Sequence, residues 1–120
     1  MESSFEYAVL TAIPDPRRGE RVNVGVVVFR NNAADVRMMN AVYKLRVLTG
    51  ENWGERIERA TARYRDMYDK EASASDMLAL YEQVEPLLKP SGLGWLRAAS
   101  DDEYEAQVKQ IVESLVRLPK

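Results

Sequence analysis

Apolar and polar positions alternate with period two over residues 5–13. Phe5, Tyr7, Val9, Thr11 and Ile13 share one face, and Glu6, Ala8, Leu10 and Ala12 the other, which predicts a strand. Pro14 and Pro16 forbid helix and cannot donate to a ladder, so the chain must turn there. Gly19 can supply the positive φ that such a turn needs. Residues 21–30 predict a second strand, with Val22, Val24, Val26 and Val28 on one face and Val27 and Phe29 on the other. Both faces are apolar toward its end, as expected of a central strand covered on both sides. Gly25 weakens the middle of this strand and signals a bulge or a close approach by another group. Asn31-Asn32 is a hairpin signal, and a third strand is expected over 34–40 with Val36 and Met38 on one face. Residues 41–48 fit a short helix through Val42, Leu45 and Leu48, or a strand through Tyr43, Leu45 and Val47. A short helix or irregular connection is favoured.

The period then changes to that of a helix. Trp53, Ile57, Ala60, Tyr64 and Met67 form a stripe over 51–69, opposite a solvated face of Glu55, Arg56, Arg59, Arg63 and Arg65. A second helix is expected over 74–89, capped by Ser73 or Ser75, with Met77, Leu80, Tyr81, Val84 and Leu88 as its stripe and Pro86 ending its last turns. Pro90-Ser91-Gly92 breaks the chain, and residues 93–99 read as a fourth strand at a sheet edge. Ser100 and Glu103 have capping-box spacing, and the helix they open carries Tyr104, Val108, Ile111, Val112 and Leu115 inward until Pro119. Strands come early and helices late, with no internal repeat or dividing linker. The fold expected is a single α+β domain over 1–120: an antiparallel sheet of three to four strands, rich in hairpin at its N-terminal end, packed against about three helices.

Composition narrows the chemistry. At 120 residues, 46% of them hydrophobic and 30% charged, the chain suits one soluble globular domain. It contains neither Cys nor His. Disulfides, thiolate nucleophiles and Cys-ligated zinc are excluded, and so is the commonest general base. The 17 basic and 19 acidic side chains leave a net charge of −2, too balanced for bulk capture of nucleic acid or for an acidic DNA mimic. The N-terminus carries no basic region or apolar run of signal length, and no segment approaches membrane-spanning length. A cytoplasmic location away from membranes is the expectation.

The densest candidate chemistry lies in the turn between the first two strands. Arg17, Arg18 and Arg21, with Asn23, could grip a phosphate or carboxylate bidentately, Glu20 orienting one guanidinium. The same residues could serve the fold, Glu20 pairing with Arg18 or Arg21 to pin the turn and Asn23 satisfying a strand end. Asp15, Glu20 and Asp35 could gather carboxylates around the hairpin for acid–base work or Mg²⁺, but such residues are ordinary at turns. The helical arginines 56, 59, 63 and 65 alternate with Glu51, Glu55, Glu58 and Asp66, a pattern that favours ion pairing over nucleic-acid binding. Trp95, beside Gly94 on a short edge segment, is either an anchor for a protein partner or a core residue under the last helix. No phosphate loop, dinucleotide fingerprint or nucleophile elbow occurs, and no cofactor is expected.

The stretch Pro14-Asp15-Pro16-Arg17-Arg18-Gly19-Glu20-Arg21-Val22-Asn23-Val24-Gly25-Val26-Val27-Val28-Phe29, preceded by a strand with Tyr7, resembles a bacterial and phage family known as the domain of unknown function numbered 3037. The resemblance is strong over the first third of the chain, and Gly-Glu-Arg-Val-Asn-Val-Gly is not a pattern that core packing alone demands. It implies no catalytic residues. It does imply company: members resemble small companions of other genes, some beside kinase-like toxin genes. The expected function is therefore a small non-enzymatic regulator or inhibitor that binds another protein. That expectation extends to products of phage or mobile elements acting on bacterial toxin or defence systems, CRISPR complexes included. The alternative is nucleic-acid or nucleotide-phosphate binding at Arg17, Arg18 and Arg21, with weak hydrolase chemistry from Asp15 or Glu20. An edge strand also leaves a homodimer open.

Overall fold

The computed structural model describes residues 3–14, 17, 19, 21–30, 33–38 and 53–116. Four strands, β1 (Ser3–Ala12), β2 (Val22–Phe29), β3 (Ala34–Met38) and β4 (Leu88–Ala98), form one antiparallel sheet in the order β3-β2-β1-β4. Three helices, α1 (Gly54–Met67), α2 (Ala74–Tyr81) and α3 (Asp101–Val116), complete an α+β fold. The hairpin signal Asn31-Asn32, the connection 41–48 and the terminal Pro119 lie outside the described residues.

The alternation of β1 sorts its side chains as the sequence predicts. Ala8, Leu10 and Ala12 enter a core beneath α1 and α2, with Trp53, Ile57, Ala60, Tyr64, Met77 and Tyr81 facing them. Phe5, Tyr7 and Val9 join the opposite core, where α3 supplies Tyr104 and Val108. Strand β2 is central and buried on both faces, but its two halves exchange faces. Leu10 pairs with Gly25 and Thr11 with Asn23, so Val24 is the extra residue of a bulge. Val24 therefore joins Val27 in the core of the helix pair, while Val26 and Val28 pack under α3. The single valine stripe read from strict alternation is corrected by this one inserted residue. Gly25 makes the bulge possible. A Cβ there would lie 2.6 Å from the Arg37 carbonyl oxygen and 2.7 Å from Met38 Sδ. Gly19, in the turn between β1 and β2, has φ +72°, the left-handed conformation expected of it.

Helix α1 carries the predicted stripe, with Met67 half-buried at its end. In α2 the Ser73 hydroxyl accepts from the Asp76 amide at 3.1 Å, the cap the sequence offers. This helix stops at Tyr81, eight residues before the expected end at 89. Gln83 and Val84 donate back to Leu80 and Tyr81, tightening the chain into turns ahead of Pro86. Leu88 then opens β4, which runs through Pro90 and is longer than the 93–99 expected. Pro90 is tolerated because β4 is an edge strand, and a second bulge follows it between the Leu10–Pro90 and Ala8–Leu93 pairs. The Ser91 hydroxyl fills that gap by accepting from the Val9 amide at 3.2 Å. At the start of α3, Ser100 Oγ accepts from Glu103 N at 3.2 Å, while the Glu103 carboxylate reaches back to Ala99 N at 3.3 Å. The spacing is that of the predicted box, with the return bond shifted one residue upstream.

Candidate functional site

Among the described residues, those singled out from sequence do not converge. Arg17 and Arg21 are exposed at the turn end of the sheet. Asp15, Arg18 and Glu20 lie outside the described residues. Asn23 has a structural partner: the Thr11 hydroxyl donates to its side-chain oxygen at 3.2 Å, across the β1–β2 pairing beside the bulge. Trp95 stands at the other end of the sheet, where it pairs with Glu6, as does Phe29 from the far side of β1. Seven residue steps separate Glu6 from Ile13, just past the end of β1 at the turn, roughly 23 Å at about 3.3 Å per residue. The arginine turn and Trp95 are therefore two surfaces.

The strongest polar cluster is one that sequence reading only brushed. Arg37 on β3 donates from Nη1 and Nη2 to the Glu105 carboxylate of α3 at 2.6 and 2.7 Å. Its Nη2 and Nε also donate to Asp35, at 3.0 and 3.3 Å. The Tyr104 hydroxyl donates to Asp35 Oδ2 at 2.6 Å. Arg30 lies over the Tyr104 ring, 4.3 Å from its centroid, and Phe5 meets that ring edge-on at 5.4 Å. Burial raises the Asp35 carboxyl, yet hydrogen bonds from Arg37 and Tyr104 outweigh it and leave the group below the usual aspartate value. The Arg37 hydrogen bonds likewise hold Glu105 low. Burial, then the bond to Asp35, raises the Tyr104 phenol. Each member is thus held in one charge state by the others. This arrangement fastens β3 to α3, and it occupies the carboxylate of Asp35 that a hairpin metal site would have needed. Among the described residues, no group of three potential metal ligands occurs. The signal available in sequence was the pairing of Asp35 and Arg37 two residues apart on one strand face, but their partner on α3 is almost 70 residues away and invisible to local pattern.

The arginine face of α1 is also partly committed. Arg56 lies over the Trp53 ring at 4.7 Å and approaches Glu85 at 3.9 Å. Arg65 Nη2 donates to the Val36 carbonyl at 3.1 Å. Arg65 stays exposed on the solvated face expected of it, and Arg56 is half-buried beside Trp53 and its ion-pair partner. Deeper in, Tyr81 donates its hydroxyl to the Tyr64 carbonyl at 2.7 Å, their rings 4.5 Å apart. Burial pushes the Tyr64 phenol up to about 12.

Trp95 resolves in favour of the surface. It is 64% exposed, and with Leu80 at 42% it makes up the exposed large hydrophobic side chains among the described residues. Its strand neighbours Leu96 and Ala98 enter the core under α3, so Trp95 projects from the opposite face. Packing under the last helix is thereby excluded. Gly94 contributes by absence of a side chain: a Cβ would lie 2.5 Å from Tyr7 Cζ, so the Tyr7 ring closes over the strand on the α3 side. The Arg97 guanidinium, exposed and on the Trp95 face, has no ion pair or hydrogen bond among the described residues.

No helix among the described residues is long and apolar enough to cross a membrane. A model of the family described as Protein of unknown function (DUF3037) matches residues 7–116, well beyond the Pro14–Phe29 stretch. Neither the curated proteins nor the solved structures yield a match.

Proposed function

We propose that this chain, which belongs to the DUF3037 family, works by binding another protein, and that its contact surface is the outer edge of β4 around Trp95. The observation that carries this reading is the 64% exposure of an indole on an edge strand. Trp is the side chain most enriched at the energetic centres of protein interfaces, and a large aromatic left in water is poorly explained by folding. The absence of His and Cys from the sequence weighs in the same direction. On this reading the protein is a small regulator or inhibitor that acts by occupying a surface. Bacterial toxin and defence systems, of the kind blocked by small proteins of phage and mobile elements, are its candidate targets. The alternative, nucleic acid at the turn arginines, draws less support, because Asn23 is tied to Thr11 and the net charge is −2.

The test is photo-crosslinking from position 95. Benzoylphenylalanine replaces Trp95 in one sample and the exposed Gln110 of α3 in another, each expressed in the native host. A discrete adduct is expected from position 95 alone, and the captured protein, once purified, should bind the wild-type chain. Trp95→Ala should weaken that complex by at least about tenfold, as expected of an interface anchor. A folded Trp95→Ala variant that binds with unchanged affinity overturns the assignment, as does the absence of any adduct at 95.

A further inference from the structure

We infer that the partner adds an extended acidic segment as a fifth strand along Leu93–Ala98 of β4, placing an apolar side chain against Trp95 and a carboxylate against Arg97. The inference rests on the reading of β4 as the binding edge and specifies what occupies it.

The two edges of the sheet are treated differently. Among the described residues, strand β3 has 5. Arg65 donates to its Val36 carbonyl, and Arg37 is tied down to α3. That edge is short and partly satisfied by side chains, as natural edges usually are. Strand β4 has 11 residues, and its outer side pairs with no described strand. Apart from the exposed Arg97, its protective features fall in the first half: Lys89, Pro90 and the bulge at Ser91–Gly92. From Leu93 to Ala98 the register against β1 is unbroken, Ala8–Leu93 through Ser3–Ala98. A regular ladder on one side of a strand leaves alternate N–H and C=O groups pointing out of the other, the template for strand addition.

The side chains say which strand fits. Trp95 and Arg97 lie two residues apart on one face, about 7 Å along the strand. An added strand has the same alternation, so two of its residues spaced i, i+2 would face them. An exposed guanidinium without a counter-charge prefers a carboxylate, which it can bind bidentately. A second copy of this chain fits poorly. The sequence of β4, Leu-Lys-Pro-Ser-Gly-Leu-Gly-Trp-Leu-Arg-Ala, holds two cations and no acid. Antiparallel pairing of β4 with itself brings four cations to one seam and offers Arg97 no carboxylate from the opposing strand. An acidic strand removes both objections.

The test begins with selection of a random-peptide phage library on the purified full-length protein. Enriched sequences should carry Asp or Glu two positions from an apolar or aromatic residue. The best of them, synthesised, should bind the wild type and lose at least about tenfold in affinity to Trp95→Ala and to Arg97→Glu, both judged folded by circular dichroism. Exchanging its acid for Lys should restore binding to Arg97→Glu. N-methylation of alternate peptide amides should abolish binding in one phase of the alternation and leave it intact in the other. Enriched peptides without the acid–apolar spacing, indifference to N-methylation in both phases, or no enrichment at all would overturn strand addition. So would sedimentation showing a dimer of the chain that Trp95→Ala dissolves. If crosslinking from position 95 still captures a partner when the peptides fail, the binding surface stands and the acidic strand falls. If both fail, the surface itself is wrong.

Discussion

Replacing Arg37 with Met keeps the aliphatic stem and removes the guanidinium that joins β3 to α3. Glu105, 59% exposed, returns to water at little cost, because solvent already screens its pairing with Arg37. Asp35 is different. Its side chain is 23% exposed, and without Arg37 it keeps only the Tyr104 hydroxyl. The loss is that of one charge-assisted contact to a half-buried carboxylate, in the range of roughly 1.5–3 kcal/mol. Arg37 itself is 31% exposed, which argues for the middle of that range, about 2 kcal/mol. For a domain of this length that lowers Tm by roughly 6–10 °C. Urea unfolding followed by Trp53 emission, in a Trp95→Phe background, reads the change directly, because Trp53 is 2% exposed in the folded state. The pH dependence gives a second check. Asp35 and Glu105 are both depressed in the folded protein. A depressed carboxyl stabilises above its unfolded pKa, about 3.9 for Asp and 4.3 for Glu, and that contribution fades as pH falls through the folded value. The gap between wild type and variant should be full at neutral pH and narrow below about pH 4. A gap under about 0.5 kcal/mol at neutral pH, or one that stays constant into acid, would refute the clamp.

Three further outcomes follow from single contacts. Gly25→Ala should cost about 2–3 kcal/mol in the same urea assay, because the new Cβ meets the Arg37 backbone oxygen at 2.6 Å and β3 must shift; wild-type stability would mean the bulge is more yielding than its geometry. Ser100→Ala removes the acceptor for the Glu103 amide and should cost about 1 kcal/mol in urea unfolding, while Ser100→Gly should cost only a few tenths. Acrylamide should quench the wild type through Trp95 at 64% exposure, and Trp95→Phe should leave only the shielded emission of Trp53, with stability changed by less than about 0.5 kcal/mol.

Local pattern carried the fold a long way. The faces of β1, the buried stripe of α1, the Ser73 and Ser100 caps, the positive φ of Gly19 and a bulge near Gly25 were all legible, because each depends on residues within a few positions of one another. The consequence of the bulge was not. One inserted residue reverses which face every later valine occupies, and alternation alone cannot say where the insertion falls. Leu88 was misread for a related reason. It continues the helical stripe of Met77, Leu80 and Tyr81 in spacing, yet it is buried as the first residue of β4, since β1 offers it Ala12 as a partner. The site divides in the same way. That Trp95 lay at a sheet edge could be read from the breakers before it. That Arg97 would share its face without a counter-charge, and that Asp35 would be claimed by α3 rather than by the hairpin, depended on contacts distant in sequence.

The exposure of Trp95 follows from lengths. Strand β4, at 11 residues, spans about 36 Å, whereas α2, the helix that packs on it from the Trp95 face, has 8 residues and spans about 12 Å. At best α2 shelters a third of the strand. The shelter falls at the end where Leu88 and Pro90 pair with Ala12 and Leu10, over the core that Met77 and Tyr81 complete. In the row that holds Trp95, Phe29 is stacked against Tyr68 and meets Tyr81 at a tilt, and Glu6 stands between it and the indole. A longer α2 was within reach, since the helical stripe continues through Val84, but Gln83 and Val84 are drawn into turns and Pro86 follows. The chain thus ends its helical cover early on the edge whose later half lacks Pro, bulge and acid, and places its large exposed aromatic there. A fold selected only for stability has a cheaper remedy at hand, a polar residue at position 95. On the proposed reading, the indole stands exposed because a partner strand covers it.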